Sequence, residues 1–389
     1  MTAATRRGYI SERASQLQGS SLAELLVLAR DRNAINLAVG TPSFPDTPQV
    51  LIEEAISALR SGYNQYEAPV GAASLRKEIA KSLNTPPDPE TEVTVTVGGT
   101  EALCIALLGS VDPGDEVIVL EPFYENFVSA IALAGAIPRF VRLRPPTWDF
   151  DPAELAAAFG PRTRAILLNT PSNPTGRMLS LDELNEIADL AERWDVTVIS
   201  DEVYSHLVFD NRVHLSVSDV PRLRERGVVI GSLSKSLAVS GWRLGYLRAA
   251  ADRTAVFRRL HEVTTSGTAA PLQLAAGRAG VVAGEWWRPA GELAVRRDLA
   301  IDIFTGLGLE IRPPDGGCFL FGDISRVTDE NCNQFVARLL EENAVLLVPA
   351  APFFADAERG RQFVRIAFNR SIETLEAARQ NLSGLARKS

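Results

Sequence analysis

From residue 90 onward, short apolar runs alternate with longer amphipathic stretches. EVTVTV, DEVIVLEP, IPRFVRL, RAILLN, VTVIS and the VVIG before Ser232 are strand-length runs dominated by Val, Ile and Leu. Between them GGTEALCIALLGS, ENFVSAIALAGA, the segment after Asp151-Pro152 and LDELNEIADLAERW have helical spacing. Asp151 with Pro152 and Glu154 is helix-start chemistry, and Ser180 with Glu183 forms a capping box. This alternation predicts an α/β fold, with a mostly parallel sheet covered by helices on both faces. Upstream lie a polar arm, a short amphipathic helix near Leu22 to Ala29, and an extended INLAVG. Two helices follow, the first opened by Thr47-Pro48, and then a Pro-rich loop from Thr85 to Pro89. Downstream of Tyr246 the signals are helical to about Ala283 and again in GEWWRPAGELAVRRDLAIDIF. A smaller α+β unit closes the chain, with strands near CFLFGD, VLLVP and FVRIAF.

Composition narrows the class. The 389 residues can bury a large core, and 46% hydrophobic content is that of a soluble globular protein. A net charge of -8 argues against nonspecific nucleic-acid binding. No apolar run approaches the ~20 residues of a membrane span. The opening MTAATRRGYISERAS lacks a signal-peptide core, so a cytoplasmic protein is expected. Cys104, Cys318 and Cys332 form neither a disulfide framework nor a zinc pattern, and His206, His214 and His261 are too scattered for a metal centre.

The most distinctive chemistry lies between Val228 and Tyr246, VVIGSLSKSLAVSGWRLGY. A strand runs into a Ser/Gly turn carrying Lys235, followed by Gly241, Arg243 and Gly245. A lysine amine that loses its proton can attack a carbonyl to form a Schiff base. Ser232 and Arg243 are donors of the kind that hold a phosphate. A carbonyl and a phosphate on one ligand suggest pyridoxal phosphate. In open α/β sheets ligands gather at the carboxyl ends of strands, which singles out the residues just after each one. Gly98, Gly99 and Thr100 open a helix there and make an anion site. The loop NTPSNPTG, with Asn173, follows RAILLN, and Asp201 and Tyr204 follow VTVIS. Tyr124 lies in LEPFY, and Arg365 sits inside the apolar FVRIAF, where a guanidinium is costly unless paired. Each alone has an ordinary explanation: a glycine turn, a loop, a helix cap, a core aromatic, a structural salt bridge.

Together these parts resemble class I, fold-type I pyridoxal-phosphate-dependent aminotransferases over nearly the whole chain. S-L-S-K-S-L-A-V-S-G-W-R-L-G resembles the family's lysine signature, and DEVYSHLVFD the kynurenine and methionine aminotransferase branch. The resemblance implies a large domain (46–285) with a mostly parallel seven-stranded sheet. It also implies a smaller α+β domain made of 1–45 with 286–389. It makes Lys235 the Schiff-base lysine and proton carrier. Asp201 would face the pyridine nitrogen and keep it protonated, with Asn173 and Tyr204 at the ring oxygen and Tyr124 over the ring. Gly99, Thr100, Ser232 and Arg243 would hold the phosphate, joined by Tyr66 of a neighbouring subunit, so a homodimer with shared sites is implied. Arg365, Asn173 and Gly40 would receive the α-carboxylate of an amino acid or 2-oxo acid. No metal is implied.

The same scaffold also supports a carbon–sulfur β-lyase or an amino-acid oxidase, because fold does not fix the reaction. A ligand-sensing regulator is the remaining alternative; such proteins carry a DNA-binding domain ahead of the module. No G-x-G-x-x-G follows a strand, which argues against a nicotinamide dehydrogenase. Several positions depart from the branch: Ser43 for aspartate, Leu237 for an aromatic, a short connection from Asn84 to Glu92, VPAAPFF without its usual glycines, and Cys318 in a strand near the substrate. These leave the amino donor open. Phe44, Tyr63 and Phe123 are candidates for an apolar substrate pocket.

Overall fold

The structure is a computed structural model that describes residues 11, 14, 21–284 and 289–385. Most of the polar arm expected before residue 21, and residues 285–288 of the GEWWR segment, lie outside the described residues. The first strand, β1 (Ile35–Asn36), precedes the main sheet. That sheet takes in β2 (Val93–Val97), β3 (Glu116–Glu121), β4 (Ile137–Arg144), β5 (Asp149–Phe150), β6 (Thr163–Asn169), β7 (Thr197–Asp201), β8 (Gly227–Ser232) and β9 (Leu244–Arg248). Their spatial order is β2-β9-β8-β7-β6-β3-β4-β5. The pairs β3–β4, β3–β6, β6–β7 and β7–β8 are parallel. β9 runs antiparallel to both β8 and β2, and β5 antiparallel to β4. Seven strands carry the sheet as expected; the eighth, two-residue β5 is where the chain folds back on the end of β4.

The central strands are apolar on both faces because both faces are covered. In β6, Ile166 and Leu168 join one buried cluster with Leu184, Ile187 and Ala188 of the helix Leu181–Trp194. Ala165 and Leu167 point the other way, into a cluster with Ala102, Leu103 and Ala106 of the helix Gly98–Leu108. Helix starts follow the local chemistry. Ser180 and Glu183 close their capping box, and Asp151 accepts from the Ala153 and Glu154 amides. Thr47 does not cap the helix Gln49–Arg60: its hydroxyl donates instead to the Ala238 carbonyl at 2.8 Å. The helices Ala251–Thr265 and Ala270–Arg278 end short of Ala283.

The C-terminal strands are β10 (Glu310–Ile311), β11 (Phe319–Asp323), β12 (Val345–Leu346), β13 (Val348–Pro349) and β14 (Phe363–Ala367). β10, β11, β14 and β13 form an antiparallel sheet in that order. VLLVP, expected as one strand, divides at Leu347: β13 stays in this sheet while β12 pairs in parallel with β1, Ile35 against Val345. Among the described residues no helix is long and apolar enough to cross a membrane.

Strand direction decides which ends meet. β3, β6, β7 and β8 present their carboxyl ends at one edge of the sheet. β2, two antiparallel steps from β8, presents its carboxyl end there too, while β9 presents its amino end. Close approach at that edge depends on Gly245 of β9, where a Cβ would stand 2.5 Å from the Gly98 carbonyl carbon and 2.6 Å from the Gly99 nitrogen. Both neighbours are backbone and cannot swing aside. Gly245→Ala is therefore expected to destabilise the protein by about 1–3 kcal/mol, as overpacking does. Urea denaturation checks this, and an unchanged midpoint would contradict the packing described.

Candidate active site

A cavity of about 310 Å³ opens at that edge. Gly99 and Thr100 line it from the start of the helix after β2, Tyr124 from beyond β3, and Asn173 from the loop after β6. Asp201 and Tyr204 come from the end of β7, Ser232 and Lys235 from the end of β8, and Arg243 from just before β9. The smaller unit adds Arg365 from the middle of β14 and Phe319 from the start of β11, and Gly40 arrives from beyond β1. Of the residues that the resemblance assigns to the cofactor and the α-carboxylate, all line this cavity except Tyr66, which is 94% exposed. Phe44, Tyr63 and Phe123 do not line it either. Phe44 lies beneath the Arg296 guanidinium, Tyr63 beneath that of Arg278, and Phe123 stacks on Phe140. Phe123 lines a small adjoining cavity together with Asn169 and Asn173.

One flank is built to receive an anion. The N-cap residue Val97 has no capping side chain, and Glu101 accepts only its amide; the helix start with Gly99 and Thr100 faces the cavity, where unpaired N–H groups favour negative charge. Gly98 has φ +72, and a Cβ there would strike the Arg243 guanidinium. Arg243 itself has φ +54 and donates to the Ser240 carbonyl at 3.0 Å. The Ser232 hydroxyl accepts from the Ser234 amide at 3.1 Å.

The floor is held by an asparagine that sequence reasoning passed over. Asn169, the last residue of β6, donates from Nδ2 to the Asp201 carbonyl at 2.9 Å. Its Oδ1 accepts the Asn173 amide at 2.6 Å. The strand-end rule pointed at this position, but the N-P-x-G text drew attention to Asn173 alone. The Asp201 carboxylate accepts one backbone bond, from Val203 at 3.2 Å. Burial pushes its pKa up to about 7, with the Val203 bond pulling the other way.

Lys235 and Arg365 both line the cavity. Lys235 Nζ donates to the Gly40 carbonyl at 3.1 Å. Its pKa is lowered, first by burial and further by the charges of Arg365, Arg243 and Arg370, while the Cys318 thiol acts in the opposite sense. Arg365 donates from one terminal nitrogen to Asn173 Oδ1 at 2.9 Å and from the other to the Ala38 carbonyl at 3.1 Å. These partners are an amide and a carbonyl, not the carboxylate of a structural salt bridge. Among the described residues its Nε is buried without a hydrogen-bond partner. The guanidinium lies between the rings of Phe319, at 4.2 Å, and Phe353, at 4.9 Å. A planar cation held open this way is suited to a carboxylate. At Gly40 a Cβ would stand 2.6 Å from the ring of Phe319, which also lines the cavity. Among the described residues no group of His, Cys, Asp and Glu could hold a metal ion.

Residues 32–382 match the family model described as aminotransferase class I and II. The chain belongs to that family. Methionine aminotransferase of Escherichia coli is 35% identical, aligned over 95% of this chain and 97% of that protein. Kynurenine–oxoglutarate transaminase 3 of Rattus norvegicus is 33% identical, over 92% of this chain and 86% of that protein. The solved structure of N-succinyldiaminopimelate aminotransferase from Mycobacterium tuberculosis superposes with a TM-score of 0.92 at 35% identity, covering 97% of this chain and 100% of that one. The aminotransferase thus has the fold-type I architecture its sequence implied, and its reaction is pyridoxal-phosphate-dependent transfer of an amino group.

The buried Asp201 carboxylate has a consequence in the cofactor-free chain. A carboxylate whose folded pKa stands near 7 against an unfolded value of 3.8 disfavours folding as pH rises from about 4 to 7, and the penalty persists above that. Asp201→Asn is expected to stabilise the cofactor-free chain at pH 8 by about 1–3 kcal/mol and to flatten part of that decline. Denaturant unfolding at pH 5 and pH 8 measures both; a variant less stable than wild type at pH 8 would contradict the burial argument.

Proposed function

We propose that Lys235 carries pyridoxal phosphate and that this cavity exchanges amino groups between an amino acid and a 2-oxo acid. The residues fit the cofactor by their unmet needs. Asp201 is a buried carboxylate that makes no ion pair within 4 Å among the described residues, and a protonated pyridine nitrogen would supply one. The uncapped helix end with Gly99, Thr100, Ser232 and Arg243 calls for a dianion. Tyr124 would cover the ring, and Asn173 and Tyr204 would meet its oxygen. Arg365 would take the substrate α-carboxylate, with Asn173 holding the guanidinium and Gly40 keeping the approach open. When bound, the cofactor supplies the electron sink that makes an amino acid's Cα proton removable. Lys235 Nζ would be the base for that proton, and burial together with the neighbouring arginines lowers its pKa from the usual lysine range, which favours the free amine.

The proposal includes a cytoplasmic homodimer whose sites are shared. Its support is Tyr66, almost fully exposed and outside its own subunit's cavity, where a partner's phosphate site would use it. It also includes the division into 46–285 and 1–45 with 286–389, supported by the pairing of β1 with β12.

The observation that carries the reading is the meeting of Lys235, Asp201 and Arg365 in one cavity. It is tested by a half-reaction: the loaded enzyme meets a panel of amino acids with no 2-oxo acid present. One equivalent of 2-oxo acid with matching pyridoxamine phosphate is expected, and it identifies the donor. Repeated turnover releasing ammonia would point to elimination or oxidation instead.

A further inference from the structure

The chain from Asn36 to Thr41 runs along the cavity, and Val39, Gly40 and Thr41 line it. Every carbonyl along this strap is taken. Leu37 O accepts from the Ala367 amide at 2.7 Å, Ala38 O from Arg365 at 3.1 Å, and Gly40 O from both Asn369 Nδ2 and Lys235 Nζ at 3.1 Å. The other three belong to one residue. Arg370 donates from Nε to Asn36 O at 2.7 Å and from its two terminal nitrogens to Val39 O at 2.5 Å and Thr41 O at 3.0 Å. Arg370 is 5% exposed and lies outside the residues that line the cavity. Its remaining bonds go to Asn369 O and Oδ1. A buried guanidinium spent on neutral carbonyls is an expensive fastening unless the position of those carbonyls matters.

We propose that Arg370 is a positioning residue for amino transfer. It fixes the Asn36–Thr41 strap so that the carbonyls of Ala38 and Gly40 stand where Arg365 and Lys235 use them. The inference rests on the reading of Lys235 and Arg365 given above. The geometry requires an arginine. Three nitrogens of one planar fork reach Asn36, Val39 and Thr41 together, whereas a lysine has a single nitrogen and cannot be in three places. Without the fork, Gly40 O is held toward Lys235 Nζ only by Asn369, whose own side chain loses its Arg370 bond, and Ala38 O loses the anchored carbonyls that flank it. Arg370 also adds positive charge near the Lys235 amine. That amine faces Arg365 on β14, Cys318 before β11, Arg243 before β9 and Asp201 on β7. Losing the Arg370 charge therefore favours the ammonium form of Lys235.

Arg370→Gln and Arg370→Lys in the full-length loaded enzyme separate geometry from charge. Hydrogen exchange over residues 37–41 reads the strap without reference to activity, and the pH profile of the half-reaction reads Lys235. Both variants are expected to exchange roughly tenfold faster over 37–41, with β7 as protected as in wild type. The acid limb of the rate should move to higher pH in Arg370→Gln and return to the wild-type position in Arg370→Lys. Wild-type exchange over 37–41 in both variants overturns the proposal. So does acceleration that extends through β7, since Arg370 would then hold the whole fold. An equal limb shift in the two variants removes the charge contribution. If wild type gives no amino transfer, the functional reading fails while the exchange result still judges the strap.

Discussion

An amine keeps its proton in water and loses it most readily where burial and neighbouring cations both penalise the charge. Lys235 is placed in such a position, inside a cavity and in the field of Arg365, Arg243 and Arg370. The same cations attract anions, so one electrostatic arrangement serves two purposes. In the proposed reading it favours the free form of a nucleophile and base, and it would gather the carboxylate and phosphate of the molecules on which that base acts. Asp201 supplies the opposite pole, a carboxylate whose pKa burial pushes up to about 7. A ligand with two anionic ends and a basic ring between them satisfies all of these groups together.

The mixed sheet is what makes the arrangement possible. Parallel strands bring the carboxyl ends of β3, β6, β7 and β8 to one edge, and with them Tyr124, Asn173, Asp201 and Lys235. β9 runs the other way, so its amino end meets the same edge and delivers Arg243 beside the helix opening at Gly98. A fully parallel sheet would carry that arginine to the far side. The antiparallel β14 then brings Arg365 to the cavity, with Phe319 of β11 and Phe353 packed on its guanidinium.

Much of this was legible in the chain because it is local. Strand runs, the Ser180–Glu183 box and the residues following each strand come from periodicity and turn chemistry, and they lead directly to Asp201, Asn173 and Lys235. Gly40 and Arg365 needed the family resemblance, since nothing near them in sequence names a partner. What escaped depends on contacts between distant segments. Thr47 resembles a cap until the Ala238 carbonyl competes for its hydroxyl. Asn169 gains its task from Asp201, across a strand pairing. Phe44, Tyr63 and Phe123 show that hydrophobicity marks a residue as buried or sticky without saying which cavity it serves. Arg370 is one of many arginines until its three carbonyl partners are seen.

The central claim is that Lys235, and no other lysine, bears the cofactor. Reducing the purified enzyme with borohydride in the presence of pyridoxal phosphate fixes the linkage covalently, and peptide mass mapping then locates it. The account expects the pyridoxyl mass on the peptide containing Lys235 in stoichiometric amount. Label on another lysine, or distributed among several with Lys235 unmodified, would contradict it.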